Sequence, residues 1–186
     1  MDGTSPEVFV LPPTHLEPFL ERYKLDSGMF EATDASRFIS EVLQRATAFV
    51  PSEAGSVLLD NPFERTADPT NHSLYFIATF GPAASSLLGA SIPTNLGVVG
   101  HVYRTGESYF VSEAQHDPHF LRHFDETLAF RTDSLVAVPI RLQNTVCGVL
   151  ELVNRKEKRA FDERDRDLLE IFAAYTSLTL QTLLDA

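Results

Sequence analysis

The chain has a single cysteine, Cys147, so no internal disulfide is possible and the redox compartment is only weakly constrained. It also lacks a basic surplus. Acidic residues number 26 against 15 lysines and arginines, a net charge of −11 that argues against a non-specific binder of nucleic acid or other polyanions. An anionic small ligand, which needs only a few local donors, stays open. No apolar run approaches the roughly 20 residues of a membrane-spanning helix. Met1–Glu7 has neither the basic start nor the apolar stretch of a signal peptide, so the expected place is the cytoplasm, with no membrane partner. Missing too are a Gly-x-x-x-x-Gly-Lys-Ser/Thr phosphate loop, a Gly-x-Ser-x-Gly nucleophile elbow, internal repeats and low-complexity segments. What is present, 186 residues with a 44% hydrophobic share, suits one domain with a sizeable core and a short extension.

Pro6, Pro12 and Pro13 around Val8–Leu11 predict an extended arm with one short strand. Leu16, Phe19, Leu20 and Tyr23 then recur at helical spacing, predicting a short helix over about 14–24. Residues 1–30 are expected to form this N-terminal arm and helix, and residues 31–186 the domain proper. The stripe Phe38, Ile39, Val42, Leu43, Ala46 and Phe49 predicts a helix over 34–49, capped by Thr33 or Asp34 and stopped by Pro51. Strands are expected at Gly55–Asp60 and Leu74–Phe80, a brief one at Ser91–Thr94 and another at Ser108–Val111. A helix fits Gly97–Tyr103, ended at Thr105-Gly106. Two further strands, Leu135–Leu142 and Val146–Val153, join through a short turn, and a long helix follows over about 162–184. The order implies an α+β domain. Its antiparallel sheet should carry the N- and C-terminal helices on one face and ligand-lid loops and helices on the other.

Between the last short strand and the final hairpin runs a polar segment, Asp117-Pro118-His119-Phe120 to Arg131-Thr132, leading into a strand that contains Pro139-Ile140. Gly97-Val98-Val99-Gly100-His101-Val102-Tyr103-Arg104-Thr105-Gly106 resembles the central helix of GAF domains, a family of small-ligand sensors. The spaced set Asp117, Pro118, Phe120, Asp125, Arg131-Thr132 and Pro139-Ile140 is similar to the cyclic-nucleotide-binding GAF domains of phosphodiesterases and adenylate cyclases. The resemblance covers roughly residues 34–184. Its dispersed Asn-Lys…Phe-x-x-x-Asp-Glu signature is met by Asn154-Arg155 and Phe161…Asp165, with Arg155 in place of lysine and Arg166 in place of the last glutamate. The resemblance implies a structural ion pair between Arg155 and Asp165 that braces the fold beside the pocket. Without it, the same residues read as a strand end followed by an acidic helix start.

By the same resemblance, Asp125 and Thr132 contact a purine base from the lid, an acceptor and an adaptable donor in a mostly apolar pocket. A third family contact falls on Leu128, where a hydroxyl is common and leucine cannot hydrogen-bond. Phe120, Phe124 and Leu128 are expected to pack the lid down and to line the ligand site. The alternative for Asp125 and Thr132 is a solvated place on the lid surface. His116, His119 and His123 have the spacing of zinc ligands, but Pro118 interrupts the backbone and no cysteine helps, so they read as incidental and no metal is expected. Cys147, alone in a strand, does not suit the sulfoxide-reducing GAF branch, whose chemistry uses several cysteines. The expectation is a non-catalytic regulatory sensor without a cofactor. It binds a small molecule, cAMP, cGMP or another metabolite, and pairs as a homodimer through its terminal helices. The alternative is a dimerisation or interaction module with a vestigial, empty pocket.

Overall fold

The computed structural model describes residues 5–21, 32–65, 68, 72–157 and 160–185. In chain order the elements are β1 (Phe9–Val10), α1 (Pro13–Glu21), α2 (Ala32–Phe49), β2 (Ser52–Asp60), β3 (Ser73–Phe80), α3 (Ala84–Leu87) and β4 (Ser91–Pro93). After these come α4 (Gly97–Thr105), β5 (Tyr109–Val111), α5 (Arg122–Leu128), β6 (Leu135–Leu142), β7 (Thr145–Arg155) and α6 (Glu163–Asp185). Among the described residues the strands form one seven-stranded antiparallel sheet, ordered β1-β3-β2-β7-β6-β5, with β4 also paired to β3. No described helix is long and apolar enough to cross a membrane.

The alternation of side chains along each strand splits the core in two. On one face Val57, Leu59, Ile77, Val136, Val138 and Leu150 meet the helices α1, α2 and α6, which contribute Leu16, Leu20, Ile39, Leu43, Leu169 and Leu180. Each such leucine or isoleucine, withdrawn fully from water, is worth about 1.5–3 kcal/mol. On the other face Leu58, Phe76, Leu135, Ala137 and Val149 meet Val98, Val99 and Val102 of α4. The terminal helices therefore occupy one side and the lid elements the other, the α+β arrangement expected.

The arm is knitted into this scheme. Phe9 and Val10 pair with Thr79 and Ala78 on the outer edge of β3, and α1 buries Leu16 and Leu20. The part of the α1 prediction beyond Glu21, Tyr23 included, lies outside the described residues. So do the side chains of Thr33 and Asp34, the expected caps; α2 begins before them, at Ala32. Short α3 and α5 are elements that periodicity did not predict.

Two close approaches fix the layers. A Cβ on Gly148 of β7 would stand 2.1 Å from the Leu58 carbonyl oxygen, and one on Gly100 of α4 would stand 2.6 Å from the Thr94 oxygen. Gly106, at φ 68°, closes α4 with its N–H on the Val102 carbonyl. Beyond short β5, the backbone N–H groups of Arg141 and Gln143 donate to α6 side chains, to Ser177 Oγ at 3.0 Å and Gln181 Oε1 at 3.1 Å.

Candidate functional site

On the lid side of the sheet lies a cleft with about 810 Å³ of empty space, part of it open solvent. Its floor is the sheet, through Ser56, Phe76, Leu135, Glu151 and Val153; its roof comes from α3, the start of α4, α5 and the loop to Thr132. The walls are overwhelmingly apolar. Phe76 of β3 meets Phe124 of α5 edge to face, ring centroids 6.0 Å apart, pinning the lid to the floor.

Phe120, Phe124, Asp125, Leu128 and Thr132 all border this one cleft. The polar pair among them is turned on itself. The Asp125 carboxylate accepts the Thr132 N–H at 2.8 Å, the Thr132 hydroxyl at 2.7 Å and the Gln115 side-chain amide at 2.8 Å. The same amide donates to the Thr132 carbonyl at 2.9 Å, and Arg122 reaches back to the Gln115 carbonyl. These bonds close the segment from α5 to Thr132 into a loop that keeps its own shape. Ala129 sits at its corner in the left-handed region, φ 49°.

A carboxylate also faces the cleft, that of Glu151 in the middle of β7. It pairs in register with Ser56 of β2 on one side and Ala137 of β6 on the other, so its side chain stands among small neighbours on the lid face. Glu151 is half-buried and borders the cleft. The surrounding protein nonetheless desolvates the carboxylate and pushes its pKa from 4.5 up to about 7. Sequence reading missed this residue because an acid in a strand normally marks the solvent face. The signal was there: Glu151 interrupts the apolar run Val149-Leu150-Glu151-Leu152-Val153 on a strand whose two faces are both covered.

A second polar feature is the start of α4. Its cap residue, Leu96, offers no side-chain acceptor, and Gly97, Val98 and Val99 border the cleft, so the free N–H groups of the first turn lie at its wall. Farther along α4, Tyr103 donates to buried Asp60, which Arg65 also grips at 2.8 Å, and Arg104 donates to the Thr94 carbonyl.

Arg155 and Asp165 meet in the protein interior, Nε to Oδ2 at 3.1 Å; Arg155 also donates to the Pro51 and Lys156 carbonyls. Next to them Asn154, at φ 54°, accepts the Asp133 N–H at 2.7 Å and donates to the Arg131 carbonyl at 2.8 Å. The family signature thus anchors the end of the lid. The three histidines do not converge: His116 faces Glu113 at the surface, His119 stacks on His101, and His123 packs by Phe124. Among the described residues, no group of three histidines, cysteines or acids is placed to hold a metal ion. Cys147 is buried, its thiol pushed far up chiefly by burial, and it donates to the Ile140 carbonyl at 3.5 Å.

The family model described as GAF domain matches residues 32–181. The chain belongs to the GAF domain family. Part of this GAF domain, 84 residues or 45% of the chain, is 34% identical to a probable 3',5'-cyclic phosphodiesterase of Caenorhabditis elegans. Another 87-residue match, 46% of the chain, is 31% identical to a dual 3',5'-cyclic-AMP and -GMP phosphodiesterase of Drosophila melanogaster. These matches span 11% and 6% of those much longer proteins. Among solved structures, a GAF domain/HD domain protein from Geobacter sulfurreducens superposes with a TM-score of 0.65 at 11% identity, covering 81% of this chain and 94% of that one. A free methionine-R-sulfoxide reductase from Neisseria meningitidis gives 0.61 at 17% identity, covering 92% and 89%. At such identities the likeness is one of fold. GAF domains as a family are regulatory, small-molecule-sensing domains.

Proposed function

We propose that this GAF domain is a non-catalytic sensor that takes a cyclic purine nucleotide into the cleft beneath α5. The observation that carries the reading is the pairing of polar features in one apolar cavity. The uncapped start of α4 suits a phosphate, since free N–H groups and the helix dipole both favour negative charge. Glu151 suits a donor on a base edge, which its carboxylate would accept. Phe120, Phe124 and Leu128 supply the apolar contact for a flat ring. The phosphodiesterase relatives, named for cyclic nucleotides, support the same ligand class. Asp125 and Thr132 then serve the ligand from the lid, and their mutual bonds must rearrange where they contact a base. The buried setting of Cys147, which holds its thiol protonated, supports a role without thiol chemistry.

Signalling requires that the ligand prefer one lid state over another, because tight binding to both shifts nothing. The lid end is tied through Asn154 and Arg155 to the start of α6, so a change there passes to the terminal helix. The outer face of α6 presents Ile171, Tyr175 and Leu178, each at least half exposed, with Phe49 of α2 alongside. We assign this stripe to a homodimer, in which the helices of two copies carry the signal. The stripe also favours a second reading, an interaction module whose cleft stays empty.

Calorimetric titration with cAMP and with cGMP separates the two. Saturable binding of either, weakened about tenfold or more by Glu151→Gln, is expected. No heat and no thermal shift with either nucleotide, alongside a stable dimer, refutes the sensor reading and leaves the interaction module.

A further inference from the structure

Just outside the cleft, two imidazoles from different elements lie face to face. His101 of α4 stacks on His119 of the lid connection, with ring centroids 4.1 Å apart and planes 25° from parallel. Tyr109 of β5 meets both edge-on, at 5.1 Å from His101 and 5.7 Å from His119. Its hydroxyl donates to Asp117 Oδ2 at 3.0 Å, and Asp117 Oδ1 accepts the His119 backbone N–H at 2.8 Å. The sequence neighbours of both rings reach the cavity, Val98 and Val99 before His101 and Phe120 and Leu121 after His119. The stack is therefore a side-chain contact joining the first stretch of the lid to α4.

We propose that the His101–His119 stack is a proton-sensitive clasp, holding the lid to α4 near and above neutral pH and releasing it in acid. Two neutral imidazoles stack without penalty, and one imidazolium over one neutral ring is still attractive. Two imidazoliums at this separation place like charges about 4 Å apart in a partly desolvated site, which opposes the contact. Arg104 on α4 adds to the repulsion. Asp117 and Glu107 oppose it, but both oxygens of Asp117 already accept bonds, from Tyr109 and from the His119 backbone.

The direction of titration agrees. Burial, followed by His119 and Arg104, lowers the His101 pKa below its ordinary 6.5, with Asp117 and Glu107 pulling back. A group that binds protons less well in the closed lid than in the open one stabilises closure above the open-state pKa. That stabilisation drains away as pH falls through 6.5 towards the lower closed-state value. Glu151, across the cavity wall, responds with the opposite sign: protonation below about 7 removes a desolvated charge and favours the closed pocket. The clasp requires no ligand, so its test stands apart from that of the nucleotide.

Amide hydrogen exchange of the full, ligand-free chain reads the clasp directly, at about pH 7.5 and about pH 5.5, either side of the imidazole range. After scaling to intrinsic rates and to β6 as an internal standard, residues 117–132 should exchange about threefold or more faster in acid. His119→Phe keeps an aromatic ring against His101 and removes one titration, so the acid response should disappear. An unchanged lid in the wild type overturns the proposal. So does a His119→Phe variant that keeps the response, which would assign it to His116, His123 or the lid carboxylates. If that variant does not fold, ring-proton titration of the wild type decides. A depressed His101 whose shift tracks His119 supports the clasp, and two independent titrations at the ordinary imidazole value refute it.

Discussion

Replacing Glu151 with glutamine should make the ligand-free protein more stable at pH 8, with only about a quarter of that gain left at pH 5. The carboxyl titrates near 7 in the fold against 4.5 when solvated. The linkage for an acid raised on folding runs opposite to the familiar salt-bridged case. Below 4.5 both folded and unfolded chains hold the proton and Glu151 contributes nothing. Between 4.5 and about 7 the unfolded chain releases it first, so a penalty on folding builds as pH rises, and above about 7 it is complete. At about 1.4 kcal/mol per pKa unit the full difference corresponds to roughly 3 kcal/mol. The open mouth of the cleft admits water, and screening reduces this to about 1–2 kcal/mol. Glutamine keeps the shape and removes the charge. Urea unfolding of wild type and Glu151→Gln at both pH values, with equal m-values, gives the comparison. A variant no more stable than wild type at pH 8 would show that water in the cleft already solvates the carboxylate, and that burial exacts no folding penalty there. The same group makes the occupied site distinctive: a ligand donor that meets the carboxylate offsets the penalty, so bound wild type should lose its stability deficit.

Breaking the interior Arg155–Asp165 pair from one side, by Arg155→Met or Asp165→Leu, should cost about 3–5 kcal/mol in chemical unfolding, because the partner charge is left buried; a loss under 1 kcal/mol would mean the pair is solvated. Gly148→Ala should be among the most damaging methyl additions in the sheet, since the new Cβ meets a backbone oxygen at 2.1 Å rather than a movable side chain. Separation of β2 from β7 at this point should cost about 2–3 kcal/mol, read as a lowered melting midpoint, and an unchanged midpoint would refute the close approach.

Much of the fold was legible because its signals are local. The one-sided stripe of α2, the β-forming residues of β3 and β6 and the Thr105-Gly106 stop after α4 each follow from periodicity or from a residue's own backbone preference. Helices α3 and α5 were not, because four and seven residues give too few turns for a stripe to show. The candidate site was legible in its walls and less so in its polar chemistry. Asp125 and Thr132 came from resemblance, which locates a residue on the lid without saying that their oxygens meet each other there. Glu151 escaped because its meaning depends on β7 being covered on both faces, a fact of topology. The histidine stack escaped for a similar reason: His101 and His119 are 18 positions apart in sequence, and only the crossing of the lid over α4 brings their rings together.

The two bonds from the strand end to α6 set how that helix can move. Ser177 and Gln181 are four residues apart on the helix, a rise of about 6 Å. The amides they serve, on Arg141 and Gln143, are two residues apart along an extended chain, about 7 Å. The two repeats are nearly commensurate, so the helix rests in a notch. A small slide breaks both bonds and leaves two amides without their partners, whereas a step of about one helical turn, about 5.4 Å, presents a new pair of side chains to the same notches. Motion of α6 should therefore be all-or-none, a digital element downstream of whatever the cleft registers.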